Sequence, residues 1–191
     1  MVKLIILCFL VLSLTACSSI KLTRAGYEEA SHQVIIREGP IELRRYSSLN
    51  LVQTKMKDTD DSGFMRLFRY IDGNNSSKSK IAMTTPVFTS ENNGERSMSF
   101  VLPEKIKKEN VPAPMNEAVQ TVTSKSGLYA AHRYSGRRIQ GAPIKIQNQL
   151  REWIKNNDLQ SLGKPINAFY DTPWTPPFLR RNELLIEVSQ Q

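Results

Sequence analysis

From residue 32 onward the chain alternates short period-two runs with two longer runs of helical period. His32–Arg37 and Ile41–Tyr46 flank Gly39-Pro40, which reads as a hairpin turn. Asn50–Met56 sets Leu51, Gln53 and Lys55 against Val52, Thr54 and Met56. Further strands are predicted over Ile81–Phe88, Ser97–Leu102, Val119–Thr123, Leu128–Tyr134, Ile166–Tyr170 and Leu184–Val188, with a Pro- and Lys-rich loop from Pro103 to Met115. The clearest helix is Asp61–Ile71. Phe64, Leu67, Phe68 and Ile71 fall at i, i+3, i+4 and i+7, with Arg66, Arg69 and Tyr70 off that stripe. Asp60, Asp61 or Ser62 caps it, and Gly73-Asn74-Asn75 ends it. A second helix is predicted over Gly141–Asn156, with Ile144, Ile146, Leu150, Trp153 and Ile154 as its apolar content and Pro143 in its first turn.

The two halves share one order of elements. A strand, a helix and a closing strand recur at similar intervals: Asn50 to Leu128, Asp61 to Gly141, Ser97 to Leu184. This predicts an α+β fold of two βαββ-like modules related by a pseudo-two-fold. Each is too small to bury its own sheet face, so the two are expected to share one core.

The first residues change the picture of where the domain resides. Lys3 precedes an apolar run from Leu4 to Leu14, too short to span a bilayer core of about 30 Å as a helix. Leu14-Thr15-Ala16-Cys17 follows and resembles the lipobox of bacterial lipoproteins. The alternatives are a membrane anchor or a signal cut at Ala16 without lipid. On the lipoprotein reading, residues 1–16 are a signal peptide, Cys17 carries the lipid, 17–31 form a tether and 32–189 the domain. The protein then sits in the cell envelope, at the outer membrane facing the periplasm in a Gram-negative host, as Ser18 after the Cys suggests. Of 191 residues, 40% are hydrophobic, and the formal net charge is +8. Export removes nucleic acid as the expected partner of that basic surface. Two Cys and two His exclude zinc ribbons, iron–sulfur clusters and disulfide frameworks.

No motif announces catalysis. Gly73-Asn74-Asn75-Ser76-Ser77-Lys78 lacks the second Gly of a phosphate loop and follows a helix instead of preceding one. His32 lies at the domain edge. His132 shares a strand face with Leu128, Ala130 and Tyr134, and reads as a core histidine or as a weak candidate metal ligand. Met83 reads as core. The loop from Tyr170 to Glu183 holds Pro173, Pro176 and Pro177 with Trp174 and Phe178, and ends in Arg180-Arg181. Such a loop either lines a site or folds over the core end. The Arg pairs 44/45, 137/138 and 180/181 suit a solvated face or anionic groups.

Five segments together resemble the SOUL haem-binding protein family: Ile41-Glu42-Leu43-Arg44-Arg45-Tyr46, Gly63–Ile71, Lys80-Ile81-Ala82-Met83-Thr84-Thr85-Pro86-Val87, Ser97–Pro103 and Thr175–Glu183. The resemblance implies a distorted antiparallel β-barrel of two βαβββ-type halves with two main helices. It also implies haem or another tetrapyrrole as ligand, bound without catalysis in an apolar groove beside the first helix and under the loop before the last strand. Carried over, that groove involves Phe64, Leu67, Phe68 and Ile71, then Trp174 and Phe178, with Arg66, Arg69 and Arg180 for the propionates. The helix stripe is expected to be mostly core, with only its edge reaching the groove. Some members carry a His where this chain has Arg45, and an Arg does not ligate iron. The expected function is a membrane-tethered tetrapyrrole binder that buffers or passes haem. The alternative is a small-molecule effector module or hydrolase on the related gyrase-inhibitor-like fold. There Glu183 would read a cation or activate water, although a structural ion pair is its simpler role.

Overall fold

The computed structural model of the chain describes residues 26–56, 62–137 and 141–190. The expected signal peptide, Cys17 and most of the tether lie outside them. The described chain starts within the expected tether, where Gly26–Ser31 are already part of the fold: Glu28–Glu29 (β1) pairs with Thr84–Thr85 (β5), and Ala30 is buried. The remaining strands are β2 (His32–Glu38), β3 (Ile41–Tyr46), β4 (Asn50–Met56), β6 (Val87–Asn92), β7 (Glu95–Val101), β8 (Val119–Thr123), β9 (Gly127–Tyr134), β10 (Leu159–Ser161), β11 (Ile166–Phe169) and β12 (Asn182–Gln190). Helix α1 spans Ser62–Ile71 and α2 spans Ile144–Asn156. The single strand expected over Ile81–Phe88 is two pieces, β5 and β6. Between them stands Pro86, which has no amide proton for a ladder. Helix α2 starts three residues later than expected, because Gly141 holds a left-handed φ of 86° and Pro143 sits before the first turn.

The main sheet has the order β2-β3-β9-β12-β11-β6-β7-β4-β8, with β10 added beside β12. From β3 to β8 this order is symmetric about the β11–β6 pair. β9 mirrors β4, β12 mirrors β7, and β3 mirrors β8. Each half is thus a strand, a strand, a helix and two strands, but its first strand has left home. β3 precedes β4 yet pairs with β9, and β8 precedes β9 yet pairs with β4. The links Ser47–Leu49 and Ser124–Ser126 make the two crossings and bond each other. Leu49 N–H donates to Ser124 Oγ at 3.0 Å, and Ser124 N–H donates to Leu49 O at 2.9 Å.

A closed barrel is not what forms. The outer strands β2 and β8 do not pair, so the sheet is open. It curls nonetheless. A cavity of about 130 Å³ on the helix-free face touches Tyr46 of β3, Leu51 of β4, Phe88 of β6, Tyr129 of β9, Ile166 of β11 and Leu185 of β12. Strands six places apart in the ladder, β3 and β4, reach one small space only if the sheet bends around it. The two links strap that space where hydrogen bonds between edges would have closed a barrel.

The core differs from the single one expected. Buried residues among those described form three clusters. α1 covers Val52, Val87 and Phe100 with Leu67, Tyr70 and Ile71; α2 covers Leu43, Ala130, Leu184 and Ile186 with Leu150, Trp153 and Ile154. The third, on the opposite face, holds Tyr46, Val101, Ala131, Ala168, Tyr170 and Leu185; the exchanged strands make the other two mixed as well, with Ile41 and Leu43 of β3 under α2 and Val119 of β8 in the α1 cluster. Strand alternation does the sorting: on β12, Leu184, Ile186 and Val188 serve α2 while Glu183 and Leu185 face the shared side. The exchanged strands couple the layers. Leu67→Ala, which empties a fully buried site under α1, is expected to cost about 2–5 kcal/mol. Trp153 fluorescence, which reports on α2, should move to the same lower unfolding midpoint as circular dichroism. Separate midpoints would show that the halves unfold independently.

Candidate functional site

The α1 stripe divides in two. Leu67 and Ile71 are buried in the α1 cluster and offer no surface, whereas Phe64 is 36% and Phe68 40% exposed. The bonds of the other flank fix where these two rings point. Arg66 donates to Thr54 Oγ1 at 3.0 Å, to Lys55 O at 2.7 Å and to Ser62 Oγ. Tyr70 donates its hydroxyl to Pro112 O at 2.8 Å, and Thr54 donates to Ala118 O at 2.8 Å. That flank therefore faces β8 and the loop before it. At 100° per residue, Phe64 and Phe68 lie roughly 160–200° around the helix from Arg66. They face the middle of the sheet. Their rings stack at 6.2 Å, and Phe64 meets Phe100 of β7 edge-on at 5.2 Å.

Opposite them runs a shallow trough between the helices. α1 packs chiefly on β4 and β7 and reaches Val87 of β6, and α2 packs on β9, β10 and β12, so β6 and β11 have the thinnest helix cover. Four strand spacings of ~4.8 Å less a helix diameter of ~10 Å give a width of about 9 Å. Its floor carries Val87, Thr89, Asn167 and Phe169, which share a face through direct cross-strand pairing. Asn167 Oδ1 is buried there without a hydrogen-bond partner. Arg69 is exposed one residue beyond Phe68, while Arg66, first considered for propionates, is committed to its own structural bonds.

The loop before β12 leaves from the end of β11. Trp174 is 91% and Phe178 75% exposed. The loop is braced from within. Arg180 donates to Thr175 O at 2.7 Å and Pro173 O at 2.6 Å, Asp171 accepts from Arg181 N–H at 2.6 Å, and Gly136 N–H donates to Pro177 O at 3.0 Å. Arg180 thus spends two of the five N–H donors of a guanidinium on its own loop. Among the described residues no ring contact joins Trp174 or Phe178 to Phe64 or Phe68.

Neither imidazole adjoins α1. His132 is buried on the α2 side of β9 between Ile41 and Leu184, with Nδ1 at 3.0 Å from Arg133 O. It is a core histidine. His32 stands across from Tyr46, with ring centroids 5.0 Å apart and Nδ1 at 3.1 Å from Ala30 O; burial lowers its pKa. It lines a wider, mostly polar hollow with Gln33, Arg45 and Ser126. Among the described residues no three His, Cys, Asp or Glu converge as metal ligands, and no helix is long and apolar enough to cross a membrane. Met83 packs against the α1 cluster as expected.

The feature that the sequence pattern concealed is a buried ion network. Arg44, 3% exposed, donates to Glu183 through Nη1 at 2.6 Å and Nη2 at 3.1 Å, and to Glu42 through Nε at 2.6 Å. Arg181 donates to Glu183 at 2.8 Å, pairs with Glu29 at 3.0 Å and lies over the Tyr170 ring at 3.7 Å. Tyr170 donates its hydroxyl to Glu183 at 2.8 Å. Burial by itself would push the Glu183 carboxyl up. The Arg44 bond and charge, with Arg181 and Tyr170, bring it down to about 2. Burial holds the Tyr170 phenol well above its ordinary value, and the Glu183 charge adds to that. Only the Arg-Arg-Asn-Glu string hinted at this arrangement, because Arg44 comes from 139 residues away.

These observations describe an α+β protein built from two strand-exchanged modules, with a half-exposed aromatic flank on its first helix. The model of the SOUL heme-binding protein family matches residues 27–187, and the chain belongs to that family, whose ligand is the tetrapyrrole haem. No curated protein matches its sequence. Among solved structures, a hydrolase from Listeria innocua is similar at 12% identity and TM-score 0.61, covering 81% of this chain and 94% of that one. The C-terminal domain of EcmrR is similar at 14% identity and TM-score 0.57, covering 84% and 99%. At such identities these likenesses concern the fold.

Glu183 gives a test of the network. Its carboxyl titrates near 4.3 unfolded and at about 2 folded. Its stabilisation is therefore complete above about pH 5, declines as pH falls through that interval and is gone below about pH 2. Glu183→Gln breaks the buried two-point pair and leaves Arg44 charged and buried with Glu42 as its one carboxylate partner, at a cost of about 3–5 kcal/mol near neutral pH. Thermal unfolding from neutral to acid pH should show a lower midpoint for the variant and a flatter acid decline than for the parent.

Proposed function

We propose that the protein binds a tetrapyrrole without catalysis along the inner flank of α1, with the Trp174–Phe178 loop at the end of that trough. The observation that carries this reading is the stacked, half-exposed Phe64–Phe68 pair in a chain of a haem-binding family. Stacked aromatic rings left half-exposed beside the buried stripe of a helix suit a flat apolar ligand. The fit to haem is partial. The ring finds apolar surface, and propionates find Arg69 and the remaining donors of Arg180. An axial imidazole does not come from this face, since His132 is enclosed in the α2 cluster and His32 lies by the β2 edge. Iron, when present, supplies redox and ligand-exchange chemistry that these side chains leave open to solvent or to an acceptor. Such loose coordination suits buffering or transfer of haem. The signal and Cys17 support a lipid-anchored location in the cell envelope, so the anchor provides the membrane contact and nucleic acid is not a partner. Glu183, engaged by two guanidinium groups and held at about 2, is poorly suited to activate water or to receive a cation, which weighs against the hydrolase and effector alternatives.

Hemin titration of residues 18–191, with albumin as positive control, tests the reading. Phe64→Ala and Phe68→Ala should each weaken binding about tenfold, which is ~1.4 kcal/mol, and His132→Ala should not. Iron-free protoporphyrin IX should bind within about tenfold of hemin, and the ferric spectrum should be high-spin. Binding no better than that of an unrelated basic protein, or a low-spin bis-histidine spectrum, would refute it. The envelope location has its own check: metabolic labelling with a radioactive fatty acid should mark the parent and not Cys17→Ser.

A further inference from the structure

The cavity on the helix-free face is untouched by the reading above. It is closed on the sheet side by Leu51, Phe88, Ile166 and Leu185 and lies beneath the paired links Ser47–Leu49 and Ser124–Ser126. Its volume is about 130 Å³. An apolar cavity of about 150 Å³ accommodates benzene, so the space suits a compact molecule and excludes a tetrapyrrole.

Polarity within it is confined. Gln53 Nε2–H donates to Ser99 Oγ at 3.1 Å, so those two wall residues satisfy one another. At the links, Ser124 Oγ already accepts from Leu49 N–H, which leaves its O–H to donate. Beside it, Lys125 is exposed, lines the same cavity and has no ion pair among the described residues. The rim thus presents two donors, the Ser124 hydroxyl and the positively charged Lys125 ammonium. Below, Tyr46 and Tyr129 meet edge-on at 5.5 Å. The nearest buried carboxylate, Glu183, is consumed by Arg44, Arg181 and Tyr170. Across the network Arg37, Arg44 and Arg181 alternate with Glu42, Glu183 and Glu29, so it projects no net charge toward the cavity. Glu187 is the cross-strand partner of Tyr129 on the same sheet face, where its charge raises the Tyr129 phenol, but it does not line the space.

We propose that this cavity is a second binding site, distinct from the α1 flank, for a compact apolar carboxylate. Its hydrocarbon body lies among Leu51, Phe88, Ile166 and Leu185, and its carboxylate meets the Ser124 hydroxyl and the Lys125 ammonium. The charge arrangement selects anions: a cation would find no available carboxylate within and an ammonium at the entrance.

Three fluorinated probes of one size separate the possibilities, read by 19F NMR on the full chain in lipid nanodiscs. 4-Fluorobenzoate should bind tightest, 4-fluorobenzyl alcohol about tenfold more weakly, and 4-fluorobenzylammonium more weakly still. Lys125→Glu should remove the advantage of benzoate over the alcohol while leaving the alcohol unchanged. Leu51→Trp, which fills the space, should abolish all binding. Hemin titration in saturating 4-fluorobenzoate should be unaltered, so loss of one site is distinguishable from loss of the other. Ammonium binding as tight as benzoate, indifference to Lys125→Glu, displacement of benzoate by hemin, or no binding of any probe would each overturn the proposal.

Discussion

The first strand of each half lies in the other half's part of the sheet, and the rest of the molecule follows from that exchange. Because β3 must reach β9 while β4, only a few residues later, lies at the far end, the chain has to cross the helix-free face; β8 and β9 impose the same crossing in reverse. The crossings bring Leu49 and Ser124 within hydrogen-bonding distance and bend the sheet around them. They also carry Arg44 across β9 to Glu183 on β12, so residues far apart in sequence share one ion network. A buried network of this kind stabilises less than its short distances suggest, since each charge gives up its hydration. Its larger effect is to make any other register costly.

Period was enough to find most elements. The β3 and β4 boundaries are those of the alternation, and α1 is legible from Phe64, Leu67, Phe68 and Ile71. The duplication was legible too, from the recurrence of strand, helix and strand. What local pattern could not convey was pairing. Nothing in Ile41–Tyr46 says that it belongs beside β9, so the open, strapped sheet was read through family likeness as a barrel. Short pieces were missed for a related reason: Glu28–Glu29 and Leu159–Ser161 are too brief for any period to register, and exist only because β5 and β12 offer edges.

Side-chain roles were legible where chemistry is local and illegible where it is not. Exposed aromatics in a Pro-rich loop stood out, and the structure keeps Trp174 and Phe178 in solvent. The arginines did not sort themselves by type. Arg66 and Arg180 resemble ligand-binding residues in sequence, yet one ties α1 to β4 and the other braces its own loop. Only distances separate an arginine that awaits an anion from one that already serves the backbone.

The symmetry has a consequence for ligand stoichiometry. The buried triad Leu67, Tyr70 and Ile71 of α1 has the spacing of Leu150, Trp153 and Ile154 of α2, and Tyr70 and Trp153 each bond outward, to Pro112 and to Glu38. With those triads aligned, Phe64 and Phe68 correspond to Gln147 and Arg151. The duplicated scaffold therefore presents its two inner flanks toward one trough, one aromatic and the other polar and basic. A planar, doubly anionic ring has a single orientation that satisfies both walls. The equivalence of the halves becomes a polarity across the trough, so the proposed tetrapyrrole site offers its guest one way to face.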